Sequence, residues 1–131
     1  MTEIGKKARR CLMVVDDDST IRLLLQAALQ KEYDMLCIPN GPKAAESIES
    51  GKPDLILLDI DVPGSDSHSL CEDIRRQAEL SKVPILFMTV CQTNPGFFAE
   101  LMIKGNSYIK KPFEMPALRR KIERLMTSPP S

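Results

Sequence analysis

Short apolar runs alternate with amphipathic stretches along the whole chain. Cys11-Leu-Met-Val-Val15 is apolar throughout and stops at acid. Ile21, Leu24, Leu25, Ala28 and Leu29 then recur at the spacing of one helix face, with Ser19 or Thr20 placed to cap it. Met35 to Pro39 reads as a second strand, and Lys43 to Glu49 as a short helix that Gly51 stops. Leu55-Ile-Leu-Leu58 is a third strand, again apolar throughout and again ending in Asp. A polar helix follows from about Asp66 to Leu80, with Leu70, Ile74 and Ala78 spaced to face inward. Val83 to Met88 is the fourth strand, Pro95 to Lys104 a helix closed by Gly105, and Ser107 to Ile109 a short fifth strand. Pro116 to Met126 forms the last helix.

A strand with one wet face alternates apolar and polar residues, and these do not. Uniformly apolar strands are buried on both faces, which predicts a parallel sheet covered by helices. The repeat of strand then helix predicts a doubly wound α/β domain. Ligands of such sheets bind beyond the carboxyl ends of the strands, where the winding direction reverses. The chemistry is therefore expected just after Val15, Leu58, Met88 and Ile109.

Those four points carry Asp16-Asp17-Asp18, Asp59-Ile-Asp61, Thr89 and Lys110-Lys111-Pro112. Asp16, Asp17 and Asp59 brought to one sheet edge would repel by about 4 kcal/mol per close pair at an effective dielectric near 20. A hard divalent cation with oxygen ligands offsets such repulsion, and a site that keeps several waters suits Mg²⁺. Lys111 supplies a fixed positive charge and Thr89 a hydroxyl donor. Together they would cradle the oxyanions of a phosphoryl group carried on Asp59. Singly, each residue has a plainer explanation: a helix N-cap cluster, a turn threonine, a solvated lysine. Their order at successive strand ends is what favours function.

Composition narrows the classes. The 131 residues suit one compact domain, and 18 Lys+Arg against 18 Asp+Glu give no net charge to support a broad nucleic-acid face. No apolar run approaches the ~18 to 20 residues that span a bilayer, and none resembles a signal-peptide core. Cys11, Cys37, Cys71 and Cys91 show no CxxC pair, and most lie in apolar surroundings. Buried reduced thiols in a cytoplasmic protein are expected. Residues 1–9 read as a disordered N-terminus, 10–126 as the domain, and 127–131 as a tail or linker stub.

Leu12-Met-Val-Val-Asp-Asp-Asp18, Pro53-Asp-Leu-Ile-Leu-Leu-Asp-Ile-Asp-Val-Pro-Gly64, Val83-Pro-Ile-Leu-Phe-Met-Thr89 and Tyr108-Ile-Lys-Lys-Pro-Phe113 resemble the receiver domain of bacterial two-component response regulators, the chemotaxis-regulator type among them. The resemblance implies a flavodoxin-like five-stranded parallel sheet in the order 2-1-3-4-5 with helices on both faces. It implies that Asp59 is the phosphoacceptor, receiving a phosphoryl group from a sensor histidine kinase or a phosphotransfer protein. Asp17 and Asp59 would bind Mg²⁺ directly, with the main-chain carbonyl of Asp61, while Asp16 would act through metal-bound water. Thr89 and Lys111 would contact phosphoryl oxygens, with Pro112 shaping the loop through a cis bond. Thr89 and Tyr108 would form the switch. The surface from Phe97 to Arg124 would meet a downstream target or a second copy of the chain. Such a domain catalyses only its own phosphorylation and dephosphorylation.

The chain departs from the family pattern at several positions. Ser65-Asp66-Ser67 follows the proline-glycine turn, Val90 stands where a small residue is usual, and Asp61 where Met or Asn is common. His68 on a polar helix reads as a solvated surface residue. Two alternatives come with the same residues. Leu58-Asp-Ile-Asp-Val62 also resembles the nucleophile motif of haloacid-dehalogenase-type phosphatases, although that motif usually sits on the first strand. A degenerate receiver acting as an unphosphorylated binding module is the other.

Overall fold

The computed structural model describes residues 9–39, 43, 44, 46, 47, 51–60, 67–76, 82–90, 99 and 107–127. Five strands form one sheet: β1 (Cys11–Val15), β2 (Asp34–Ile38), β3 (Leu55–Asp59), β4 (Ile85–Thr89) and β5 (Ser107–Lys110). All neighbours are parallel and the order is β2-β1-β3-β4-β5, as the resemblance implied. The helices bounded within these residues are α1 (Ser19–Leu29), α2 (Ser67–Arg76) and α3 (Met115–Thr127).

The uniformly apolar strands are the buried ones. Every residue of β3 and β4 is buried, as are Leu12 to Val15 of β1. Successive side chains point to opposite faces, so each strand feeds two cores. Met13, Val15, Ile56, Leu58, Ile85 and Phe87 pack on one face, together with Ala44 and Cys71 of α2. Leu12, Val14, Leu55, Leu57, Leu86 and Met88 pack on the other, against Leu25 and Leu29 of α1 and Leu118 and Ile122 of α3. The edge strands β2 and β5 are only partly covered. The order reverses between β1 and β3, so the crevice of the fold opens at their carboxyl ends.

Several local expectations shift. The α1 cap is Asp18 and neither Ser19 nor Thr20: its carboxylate accepts the Thr20 N–H at 2.9 Å and satisfies one of the open donors of the first turn. Gly51 was expected as a helix stop, yet it is itself helical, and the left-handed residue is Lys52 with φ 43°. A Cβ at 51 would lie 2.5 Å from Leu36 Cδ2, a terminal methyl that would have to shift to admit it. Arg9, assigned to the disordered end, donates to the carbonyls of Gln30 and Tyr33 beyond α1. The last helix runs on to Thr127, whose hydroxyl donates to the Glu123 carbonyl at 2.8 Å. Cys71 is buried, but Cys11 and Cys37 are half-buried, one opening a strand and one on the sheet edge; all three are reduced thiols. The side chains of Leu70 and Ile74, and all of Cys91, Ala78 and the 95–104 helix except Ala99, lie outside what the structure describes. Among the described residues, no helix is long and apolar enough to cross a membrane.

Arginines fasten the helices on the second face. Arg119 of α3 donates to the Ala28 carbonyl at 2.6 Å and pairs with Glu32, binding α3 to the end of α1. Arg10 donates to the Met126 carbonyl at 3.0 Å.

Two substitutions separate core from surface. Phe87→Ala empties a fully buried site in the central sheet and is expected to cost about 3 to 5 kcal/mol in urea unfolding. Leu23→Ala removes a side chain that is 68% exposed, and surface changes of this kind stay within about 0.5 kcal/mol.

Candidate functional site

The sheet delivers each functional side chain through its backbone ladder. The Asp16 N–H donates to the Ile38 carbonyl at 3.1 Å, which extends β1–β2 pairing one residue past β1. That bond draws the Asp16 side chain inside, where it is fully buried. Asp59 is the last residue of β3, in register with Met88 of β4, and is also buried. Thr89 closes β4 and is fully buried. The Lys111 N–H donates to the Thr89 carbonyl at 2.7 Å, so the lysine emerges beside that threonine. The Lys111–Pro112 bond is cis.

Lys111 Nζ donates to Asp16 Oδ2 at 2.9 Å and to Asp59 Oδ2 at 3.1 Å. Asp16 Oδ1 accepts the Asp18 N–H at 2.9 Å, so both oxygens of this buried carboxylate are engaged. Asp17 is exposed at the mouth. One ligand oxygen from each of Asp16, Asp17 and Asp59 lies within 4.8 Å of the others. Burial by itself would push the Lys111 ammonium down, but its bonds to Asp16 and Asp59 and their charges outweigh that and hold it above the ordinary lysine value of 10.5.

The strand ends thus bring Asp16, Asp17, Asp59, Thr89 and Lys111 to one edge, the set expected from their order along the chain. Tyr108 lies on β5 and is 37% exposed, with Lys121 Nζ 6.0 Å from its ring centre. Val90, next to Thr89, is exposed. Asp61, Phe97 and Phe98, and the side chain of His68, fall outside the described residues. Arg22 was not anticipated: it reaches back from α1 and donates from Nη1 to the Asp16 carbonyl at 2.6 Å. An arginine between Ile21 and Leu23 carries no motif that would mark it.

Chemically, this is an all-oxygen acidic cluster around one shared ammonium. The carboxylate set suits a hard divalent cation such as Mg²⁺, which binds through one or two carboxylates and keeps several waters. Asp17 is the exposed member of the set and Asp16 and Asp59 the buried ones, with both Asp16 oxygens already engaged.

Residues 12–123 match the response regulator receiver domain. The chain belongs to this family. Solved structures agree with the assignment. The receiver domain of a Pseudomonas aeruginosa sensor histidine kinase, with a magnesium ion coordinated in its active-site cleft, is 28% identical, with 92% of this chain and 100% of that chain covered and a TM-score of 0.82. The BeF3-activated N-terminal receiver domain of Klebsiella pneumoniae RstA is 31% identical over 91% of this chain and 100% of that one, with a TM-score of 0.79. A Vibrio cholerae chemotaxis protein, 24% identical over 90% of this chain and 99% of that one, shares the fold with a TM-score of 0.83. Membership leaves the haloacid-dehalogenase resemblance resting on one short motif.

The receiver domain's lysine carries a pH signature. A base whose value is raised on folding stabilises the native state fully below its unfolded value and loses that contribution as pH climbs through the folded one. Lys111→Met is expected to cost about 3 kcal/mol near neutral pH, the scale of stripping one partner from a buried ion pair. The gap between wild type and variant should narrow only as pH rises above 10.5. Denaturant unfolding at neutral pH and at successive alkaline pH values checks this; a gap that stays constant into strong alkali refutes it.

Proposed function

We propose that this receiver domain accepts a phosphoryl group on Asp59 from a sensor histidine kinase or a phosphotransfer protein and, once modified, changes the partner it binds. The observation that carries the reading is the buried Asp59 carboxylate, hydrogen-bonded to Lys111 and within 4.8 Å of the oxygens of Asp16 and Asp17.

An Asp59 oxygen attacks phosphorus as the nitrogen–phosphorus bond of the donor histidine breaks, and the leaving imidazole keeps the electron pair. Phosphorylation moves the negative charge from the Asp59 carboxylate to the phosphoryl oxygens, and the Lys111 ammonium then turns to one of these while holding Asp16. Thr89, at the end of β4, has its hydroxyl on the same edge for a second oxygen. Asp17, Asp59 and the main-chain carbonyl of Asp61 would hold Mg²⁺, with Asp16 acting through its water. Bound there, the ion would neutralise charge on the transferring group. The domain turns over only itself: it phosphorylates and dephosphorylates Asp59, with no other substrate.

The readout follows the β4–β5 connection. Thr89 pairs in register with Lys110, two residues from Tyr108, so a pull on the threonine bears directly on the strand that carries the aromatic. We assign partner or homodimer contacts to the surface between Phe97 and Arg124, where Lys110, Arg120 and Lys121 add charge to the described part. A cytoplasmic location accords with the reduced thiols and with a kinase donor.

Acetyl phosphate or beryllofluoride is expected to modify Asp59 only when Mg²⁺ is present, as read by intact mass for the phosphoprotein and by NMR for the beryllofluoride adduct. Asp59→Asn should abolish the adduct, and Lys111→Ala should weaken the response. No adduct on the wild type would favour the unphosphorylated binding module instead.

Mg²⁺ alone should raise the melting temperature, because a ligand that binds only the native state stabilises it by RT ln(1 + [L]/Kd). Asp17→Asn should remove most of that rise. A rise of full size in Asp17→Asn would dismiss this residue as a metal ligand.

A further inference from the structure

Asp16 is the pivot of the acidic cluster, and its main-chain carbonyl lies one residue beyond the end of β1. The donor for that oxygen comes from Arg22, six residues on, whose Nη1 lies 2.6 Å away in a partly buried contact. The same residue's N–H donates to the Asp18 carbonyl at 3.1 Å as part of α1. Arg22 therefore grips the loop from both its backbone and its side chain. Between these two grips lies Asp17, and the loop is cross-braced by the Asp18 N–H on Asp16 Oδ1 and the Thr20 N–H on Asp18 Oδ1, each at 2.9 Å.

We propose that Arg22 is a positioning residue for the metal site: it fixes the Asp16–Asp18 backbone so that the Asp17 carboxylate is held where the cation binds. The inference rests on the phosphoacceptor reading for the presence of that cation. It adds a residue that touches neither the ion nor the phosphoryl group.

Positioning and charge predict opposite signs here, which makes the assignment decidable. A guanidinium beside a cation site opposes the cation, so if charge were its main effect, removing it would tighten Mg²⁺ binding. If Arg22 acts by holding the loop, removing it loosens binding in spite of the charge lost. Partners that orient metal ligands typically change metal affinity by about 10- to 100-fold when mutated, and one brace among several belongs near the low end, at about tenfold.

The experiment is a Mg²⁺ titration of the unphosphorylated full chain, followed by amide NMR shifts, on wild type, Arg22→Met, Arg22→Lys and Arg76→Met. Arg22→Met keeps length but loses charge and donors; Arg22→Lys keeps the charge with a single-headed donor. The expected result is about tenfold weaker binding for Arg22→Met, partial rescue by Arg22→Lys, and wild-type affinity for Arg76→Met, which removes an exposed charge from α2. In metal-free protein, the Asp18 amide should exchange faster in Arg22→Met than in wild type, while amides of β3 and β4 stay protected. Equal or tighter Mg²⁺ binding by Arg22→Met overturns the positioning role and leaves the phosphoacceptor reading standing. Absence of saturable Mg²⁺ binding by wild type overturns the metal site itself. Should Arg22→Met prove unfolded, Arg22→Lys decides alone: weaker Mg²⁺ binding supports the brace, and unchanged affinity overturns it.

Discussion

One ammonium holding two buried carboxylates apart from water is the interaction on which the rest depends. With ligand oxygens of Asp16 and Asp59 within 4.8 Å of each other, their mutual repulsion is about 3 to 4 kcal/mol at an effective dielectric near 20. Lys111 lies against both, at 2.9 and 3.1 Å, so two attractions stand against one repulsion. Attraction to the lysine therefore exceeds the repulsion it must offset. The arrangement works only because burial is shared: all three groups are withdrawn from solvent, where an unmatched charge would cost several kcal/mol.

The sheet makes that juxtaposition unavoidable. Covering both faces of β1, β3 and β4 with apolar side chains leaves polar groups one outlet, the carboxyl end of each strand. The winding reversal places β1 and β3 side by side, and their register, Val15 opposite Leu58, brings the next residues, Asp16 and Asp59, together. β4 and β5 continue outward from β3, so Thr89 and Lys111 follow on the same edge. Stability and reactivity are thus separated by a single residue: Val15 and Leu58 are core, and Asp16 and Asp59 are site.

Much of this was legible from the chain because it depends on short-range pattern. The runs Cys11–Val15 and Leu55–Leu58 showed their burial by failing to alternate, and each pointed to the acid that follows. The family resemblance then supplied the strand order, which periodicity alone does not give. What escaped was decided by local competition among similar residues. Asp18, Ser19 and Thr20 are all good caps, and only the backbone of α1 shows that the carboxylate takes the Thr20 N–H. Gly51 reads as a helix stop, whereas it is itself helical and lies against the Leu36 side chain of β2, a contact no local pattern encodes. Arg22 stands off the apolar face of α1, and its contact with the Asp16 carbonyl arises only when the helix folds back on the strand that precedes it.

The three aspartates of the site divide by burial: Asp16 and Asp59 are buried and Asp17 is exposed. Asp16 has one oxygen on a backbone N–H and the other on Lys111, so its ligand capacity toward anything entering is largely spent. Asp59 meets Lys111 through Oδ2 and stands, buried, at the strand terminus. Asp17 is exposed, and its direction is set by the loop that carries it. A carboxylate bound by two protein donors makes a poor nucleophile and a good structural anion. Asp16, buried behind Asp59 with one oxygen on a backbone N–H and the other on Lys111, is therefore the group that keeps the lysine in place.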